Sequence, residues 1–224
     1  MRFSVECYGA SRPQQGRSAN EDAFWIGHEP VPVAVVCDGA GNAQQAAQRA
    51  ITFFQKLWAS ATPDQIRTAD TWRKWIHLLD SHLMGLSQST FIGVAVIGDC
   101  FVGAYAGDSR AYLSTSDGKL QLLTDSTMKL RLGSGQAKPA LLTGNLQAPD
   151  LLVLMTDGAW GPLGSLPMTQ RAIVKGIAGH LSDVPLSILD SASRAGRADD
   201  MTAVVFRKGA RIAYRLKSRV GWRR

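Results

Sequence analysis

The 224-residue sequence has few cysteines and lacks long apolar runs. No stretch approaches the about 18 consecutive apolar residues of a transmembrane helix, and the first residues lack the apolar core of a secretory signal, so we expect neither segment. The three cysteines, Cys7, Cys37 and Cys100, have no metal-ligand spacing, and each lies in a strand-like apolar run. We therefore expect buried free thiols and a reducing, cytoplasmic location.

Acidic residues are missing from the C-terminal end of the chain. Residues 207–224 contain eight lysines and arginines and no acid, which exceeds the net charge of +7 for the whole chain. The remainder is therefore close to neutral, which argues against nucleic-acid binding and favours a basic tail that contacts an acidic partner or surface. Ile212, Tyr214 and Leu216 alternate with their neighbours, which predicts an extra edge strand; a disordered extension is equally compatible.

Hydrophobic periodicity divides the chain into strands and helices without an internal repeat or a linker. Apolar alternation or continuous apolar runs predict strands at 2–7, 23–27, 31–39, 91–97, 100–107, 111–116, 120–124, 151–158 and 201–206. Helical spacing predicts helices over 43–58, 72–86, 168–181 and 185–195. The four strands from 91 to 124 are predicted to form a meander of hairpins, and 126–149 is predicted to be a loop or flap. Paired helices around runs of strands predict an α+β layered sandwich.

Two aspartates end buried apolar strands. Asp38-Gly39 and Asp157-Gly158 are not followed promptly by a returning strand, whereas Asp117-Gly118 lies between two strands and predicts a simple hairpin turn. Asp199 precedes the closing strand. A carboxylate at the rim of a core is costly unless a cation compensates its charge, and Mg²⁺ and Mn²⁺ prefer oxygen ligands. These aspartates therefore predict a metal site.

A phosphate ester is one substrate that such a site could bind. Two cations that share a carboxylate can activate a water molecule at neutral pH. The phosphate also needs a cationic fork, which arginine supplies better than lysine. Arg17 precedes the acidic pair Glu21-Asp22 and is a candidate, although an isolated arginine in a polar loop is also typical of solvated surface.

Five segments occur in the order that is characteristic of one family. They are GRSANEDAF at 16–24, VVCDGAG at 35–41, GDSRAYL at 107–113, LMTDGAW at 154–160 and ADDMTAVV at 198–205. With them the chain resembles the type 2C metal-dependent protein phosphatases, which include bacterial-type serine/threonine phosphatases. The resemblance implies a catalytic domain over 1–206 and a four-layer α-β-β-α sandwich, in which helices flank two mostly antiparallel sheets.

The resemblance also implies a metal shell and the reaction. Asp38 would bridge two Mn²⁺ or Mg²⁺ ions, Gly39 would offer its backbone carbonyl, and Asp157 and Asp199 would complete the shell of one ion. A water activated between the ions would attack the phosphorus of phosphoserine or phosphothreonine in line, without a covalent phosphoenzyme. The partners would be a phosphoprotein substrate and a cognate kinase.

Residues around this shell receive roles from the same resemblance. Glu21 and Asp22 would hold metal-bound waters, and Arg17 would grip the substrate phosphate. Asp108 would help to bind a third, weaker cation. Gly161 stands where relatives often have an aspartate, which weakens that third site.

Other departures from the family pattern concern the leaving group and the flap. Ala40 stands where many relatives have a histidine that protonates the leaving alcohol, and none of the four histidines lies in a matching motif. The stretch between the third and fourth motifs is short, so the flap is expected to be reduced. Asp200 replaces a common asparagine, which we expect to be a mild change.

Two other functions are compatible with parts of the sequence. A catalytically inactive phosphatase fold that binds phosphoproteins would be expected to lose metal ligands, whereas Asp38, Asp157 and Asp199 are all present together with Arg17. A metal-dependent nuclease is supported only by the basic tail, and it would need histidine or lysine near the metals, which the motifs lack. The sequence therefore favours the phosphatase.

Overall fold

A computed structural model describes residues 4–40, 44–125, 130–196 and 199–209. Its strands are β1 (Val5–Arg12), β2 (Asp22–Gly27), β3 (Val33–Ala40), β4 (Gln88–Ser89), β5 (Phe91–Ile97), β6 (Cys100–Ala106), β7 (Arg110–Ser114), β8 (Leu120–Leu122), β9 (Ala140–Asn145), β10 (Leu151–Met155) and β11 (Met201–Lys208). Its helices are α1 (Gln44–Ala59), α2 (Pro63–Ile66), α3 (Ala69–Leu83), α4 (Asp157–Trp160), α5 (Leu166–Ile177) and α6 (Asp183–Arg194).

The strands form two sheets. One sheet has the order β1-β11-β10-β7-β8, and the other has the order β2-β3-β5-β6-β9, with the short β4 paired to β3. Neighbouring strands in both sheets are antiparallel. The central strands β3, β5 and β10 are continuous apolar runs because both of their faces are covered.

Three apolar clusters separate four layers. Helices α1 and α3 pack on the six-stranded sheet through aromatic side chains that include Phe54, Trp58, Trp72 and Trp75. Helices α5 and α6 pack on the five-stranded sheet around Ile173, Val184 and Ile188. The two sheets face each other across a third cluster that includes Val36, Ile92, Leu154 and Phe206. The predicted α-β-β-α sandwich is therefore confirmed.

The predicted meander is wrong at one connection. Strands β5 and β6 form a hairpin, as do β7 and β8 around the Asp117-Gly118 turn, but β6 and β7 belong to different sheets. The chain crosses between the sheets at Gly107, whose φ of 94° favours glycine. The partner of β6 is instead β9, which lies in the segment predicted to be a loop or flap. The apolar residues of β9, Ala140, Leu141 and Leu142, are consecutive instead of alternating, so the period of a strand does not mark it in the sequence.

The last strand extends further than the sequence predicted. Strand β11 continues to Lys208, so Arg207 and Lys208 pair with Glu6 and Asp99 instead of extending into solvent. The rest of the basic tail, including its predicted edge strand, lies outside the described residues.

The three cysteines differ in burial. Cys37 is buried and Cys7 is half-buried, but Cys100 is exposed because it begins β6 at a hairpin turn. Within the described residues, none of the helices is both long enough and apolar enough to cross a bilayer.

Candidate metal and phosphate site

Asp22 and Asp38 lie directly opposite each other on β2 and β3. Both carboxyl groups are largely buried at the strand ends. Burial, followed by the negative charges of Asp22 and Asp157, raises the pKa of Asp38 well above its usual range. Burial also raises the pKa of Asp22, although the Thr156 hydroxyl partly opposes this shift. The rim of the six-stranded sheet therefore concentrates negative charge that the fold only partly compensates.

The backbone of Asp38 is held by two neighbouring residues. The Asp38 N–H donates to Thr90 Oγ1 at 2.9 Å, and the Asp38 carbonyl accepts from the Thr90 N–H at 2.8 Å and from Ser89 Oγ at 3.0 Å. Thr90 Oγ1 also lies 2.8 Å from Ser109 Oγ in the crossover between β6 and β7. Gly39 donates its N–H to the Glu21 carbonyl at 3.1 Å. These bonds fix the point from which the Asp38 carboxylate extends.

Asp108 is brought to the same rim by Trp160. The Trp160 Nε1–H donates to the Asp108 carbonyl at 3.1 Å, and the Arg110 guanidinium lies 3.4 Å from the centroid of the Trp160 ring. Trp160 ends α4, which begins at Asp157. The third and fourth sequence motifs are therefore joined through one indole side chain, and the charge of Asp108 is among those that raise the pKa of Asp38.

Asp157 and Asp199 are placed by a close approach at Gly158. A Cβ added to Gly158 would overlap the Asp200 carbonyl oxygen and would lie 3.3 Å from the Asp199 side chain. Only glycine permits the start of α4 to pack against the turn that precedes β11. The five-stranded sheet thus brings Asp199 beside the start of α4, and the charge of Asp157 acts on both Asp22 and Asp38 at the neighbouring rim.

Among the described residues, one buried carboxylate oxygen lacks a hydrogen bond. Asp22 Oδ2 accepts from Thr156 Oγ1 at 2.8 Å, and that hydroxyl accepts in turn from the Thr202 N–H at 2.9 Å. Asp22 Oδ1 is buried without a hydrogen-bond partner in the described part of the chain. Such an oxygen is costly to leave unsatisfied, and a cation or a cation-held water would satisfy it. The donor set consists of oxygens, which suits Mg²⁺ or Mn²⁺.

The acidic side chains of the described residues do not form a complete metal-binding site by themselves. Among the residues that the structure describes, no three acidic, histidine or cysteine side chains converge closely enough to hold a metal ion by themselves. Cations at this rim would therefore take part of their shell from water and backbone carbonyls, as Mg²⁺ commonly does. The residues fit hard cations in donor type, burial and charge.

Arg17 lies in a loop that Asp200 holds in place. The two Asp200 carboxylate oxygens accept the backbone N–H groups of Gln14 and Glu21, one at each end of the loop. The Arg17 guanidinium is half exposed and lies 3.6 Å from Glu21 Oε2. The structure therefore places Arg17 beside Glu21 at the edge of the site, where its side chain is accessible. No pattern in the sequence indicated that Asp200 would position this loop.

Arg131 is a site residue that the sequence analysis missed. Its Nη2 lies 3.6 Å from Asp38 Oδ2 and 3.4 Å from Asp108 Oδ1, and its side chain is 23% exposed. Its charge opposes the rise in the pKa of Asp38. Arg131 belongs to the segment without periodicity, and no motif marks it, so no signal in the sequence could have identified it.

Comparison with solved structures identifies the class of fold. No protein-family model and no curated protein sequence matches the chain. In contrast, solved bacterial serine/threonine phosphatases share its fold over nearly its whole length. The likeness, at 19–23% identity, establishes the fold, which is that of the type 2C phosphatases that the sequence motifs indicated.

Three of these structures illustrate the match. The serine/threonine phosphatase of S. agalactiae aligns with a TM-score of 0.79 and 20% identity, over 91% of this chain and 99% of that one. Stp1 from Staphylococcus aureus gives 0.81 and 19%, over 92% and 96%. The catalytic domain of PstP, solved in complex with two manganese ions, gives 0.77 and 19%, over 93% and 100%.

Proposed function

We propose that this chain is a metal-dependent phosphatase that acts on phosphoserine and phosphothreonine in proteins. One observation carries the proposal: Asp38 lies opposite Asp22 at one rim of a phosphatase fold, and burial together with the charges of Asp22, Asp157 and Asp108 raises the pKa of Asp38. Arg131 compensates this buried negative charge only in part, and bound cations would compensate the rest.

The proposed ligands come from both sheets. Asp38 would bridge two divalent cations, Asp157 and Asp199 would bind one of them from the opposite sheet, and Gly39 would contribute its carbonyl. Glu21 and Asp22 would hold waters of the shell. When bound, the cations would lower the pKa of a water so that it can attack phosphorus at neutral pH. The PstP structure with two manganese ions supports Mn²⁺ as the first metal to test.

The remaining residues act on the phosphate and its surroundings. Arg17 is accessible at the edge of the site and would bind two phosphate oxygens through its planar fork. Asp200 would keep that loop in position by accepting two backbone N–H groups. Because residue 40 is alanine, this position supplies no proton, and the leaving alkoxide would take its proton from water.

The substrate class, domain and location follow from the same proposal. The catalytic domain would comprise residues 1–206, and its substrate would be a phosphoprotein supplied by a cognate kinase in the cytoplasm. The match of bacterial serine/threonine phosphatases to more than nine-tenths of the chain supports the domain assignment.

Metal removal and readdition test this function directly. Phosphate release from a phosphothreonine peptide should require Mn²⁺, should stop in excess chelator, and should return when Mn²⁺ is restored. A phosphopeptide that binds but is not hydrolysed at any Mn²⁺ concentration would support the inactive binding fold instead. Release of nucleotides from DNA without phosphopeptide hydrolysis would support a nuclease.

A further inference from the structure

Arg131 occupies the gap between two carboxylates of the proposed metal site. One guanidinium nitrogen lies within 3.6 Å of both Asp38 Oδ2 and Asp108 Oδ1. All three side chains are mostly buried, with exposed fractions of 15% for Asp38, 23% for Arg131 and 32% for Asp108. Screening by solvent is therefore weaker for this group of charges than for a surface ion pair.

The backbone on both sides of this gap is anchored. Leu132 is fully buried and exchanges two backbone hydrogen bonds with Ser89, at 2.9 and 3.1 Å. Ser89 is the residue whose hydroxyl bonds the Asp38 carbonyl. Arg131 and Asp38 thus extend from backbone segments that share one anchor, which fixes the distance between them.

The segment after Arg131 is also fixed. The carboxylate of the buried Asp80 accepts the backbone N–H groups of Gly133, Gly135 and Ala137. Three hydrogen bonds to one carboxylate hold this turn against α3. The contact of Arg131 with the two aspartates is therefore made by a residue that the fold positions, and not by a side chain on a freely moving loop.

We propose that Arg131 supplies the positive charge between Asp38 and Asp108, so that the site binds two divalent ions and excludes a third at Asp108. This inference rests on the proposed metal-dependent function and concerns only the number of ions. The Arg131 nitrogen already lies against the two carboxylate oxygens that would bind a cation between Asp38 and Asp108. A second positive charge placed between the same two oxygens would be repelled in this mostly buried site.

The sequence around α4 agrees with a missing third ion. Position 161 is glycine and caps α4 through its N–H, which donates to the Asp157 carbonyl at 2.7 Å. It offers no side-chain oxygen that could help Asp108 to bind a cation. The partner of Asp108 is therefore the Arg131 guanidinium, and Asp108 lacks a second carboxylate with which to bind a free metal ion.

The number of Mn²⁺ ions per chain tests the proposal without relying on activity. Isothermal titration calorimetry and metal analysis should give two ions for the wild type. Arg131→Ala should gain a third, weaker binding step, and that step should vanish in Arg131→Ala combined with Asp108→Asn. Arg131→Lys, which keeps the charge, should remain at two ions. Arg73→Ala, which removes an arginine from an ion pair with Asp70 on the surface of α3, is the matched control and should also remain at two.

Other outcomes of these measurements would contradict the proposal or the function on which it rests. A wild type that binds three ions, or an Arg131→Ala variant that folds by circular dichroism yet stays at two, overturns the proposal. If Arg131→Ala stays at two ions and raises KM for a phosphopeptide, Arg131 binds substrate phosphate instead. A wild type that binds no Mn²⁺ would refute the proposed function itself.

Discussion

Asp22 and Asp38 face each other as a directly opposed pair on neighbouring antiparallel strands. Like charges in that position destabilise a sheet. Burial raises the pKa of both carboxyl groups, and so do other aspartates, of which Asp157 acts on both. The fold tolerates this pair at the rim that the proposed cations would occupy, so the stability of the protein should depend on whether they are bound.

We expect Asp38→Asn to stabilise the metal-free protein. Asparagine keeps the volume of aspartate but removes the charge that repels Asp22 and Asp157 at a pH above the raised pKa of Asp38, which is about 8, so the comparison is made at such a pH. For a chain of this size, a gain of about 1 kcal/mol raises Tm by about 2–4 °C. Thermal unfolding in chelator should show a rise of that order for Asp38→Asn.

Mn²⁺ should reverse the order of Tm of the wild type and Asp38→Asn. It should raise the Tm of the wild type, because a ligand that binds only the folded state stabilises it, and should have little effect on Asp38→Asn. Asp190→Asn, which breaks an exposed ion pair with Arg12, is the control and should change Tm very little. An Asp38→Asn variant that is less stable than the wild type in chelator would show that the carboxylate has a structural partner that outweighs the repulsion.

Asp200→Asn should loosen the loop that carries Arg17. A carboxylate accepts two backbone N–H groups, whereas an amide offers one oxygen and replaces the other acceptor with a donor. The N–H of Gln14 or of Glu21 would then lose its partner. Limited trypsin digestion should cleave after Arg17 faster in this variant than in the wild type. Equal cleavage rates would mean that the loop is held by other contacts.

The positions of the aspartates could be predicted, but their pairings could not. Asp38 and Asp157 were found because each ends a continuous apolar run, and that run is a local pattern. The opposition of Asp22 and Asp38 depends on strand register, and the crossing at Gly107 depends on which sheet each strand joins. Both are set by contacts between distant residues, which periodicity does not encode.

Arg131 could not be predicted from the sequence for the same reason. Its place depends on the pairing of Leu132 with Ser89 and on the hydrogen bonds from Asp80, and both partners precede it by many residues. The resemblance to known phosphatases pointed to Asp108 and to a third cation, but it did not indicate that an arginine would lie against Asp108. Gly161, which lacks a carboxylate, was a local hint about the third cation but not about Arg131.

Arg17→Ala should weaken substrate binding without changing metal content. The side chain is half exposed and contacts Glu21, so its removal leaves the aspartates in place. A residue that binds phosphate in both the ground and the transition state raises KM when it is removed. Steady-state kinetics with a phosphothreonine peptide should show this rise, and metal analysis should give the wild-type number of ions. Loss of both ions would mean that Arg17 acts through the metal shell.

Truncation should separate the contribution of Arg207 and Lys208 from that of the remaining basic residues. A chain that ends at Gly209 loses six cations but keeps the pairing of Arg207 with Glu6 and of Lys208 with Asp99. Its Tm and its hydrolysis of a small aryl phosphate should match the wild type. Its retention on an acidic matrix should fall, as should the salt sensitivity of that retention.

A chain that ends at Phe206 is the matched comparison. It also loses the last two residues of β11, which pair with Val5 and Glu6, so its Tm should be lower. If the chain that ends at Gly209 folds normally but has lost hydrolysis of the small substrate, residues 210–224 contribute to the active site. The expectation that the tail serves only to contact an acidic partner or surface would then be wrong.

Hydrolysis of an aryl phosphate by the wild type and by Asp38→Asn, side by side at saturating Mn²⁺, shows whether Asp38 holds catalytic cations. We expect Mn²⁺-dependent turnover by the wild type and a loss of several orders of magnitude in kcat for Asp38→Asn, with unchanged circular dichroism. Equal rates for the two proteins would contradict the claim that Asp38 holds the catalytic cations.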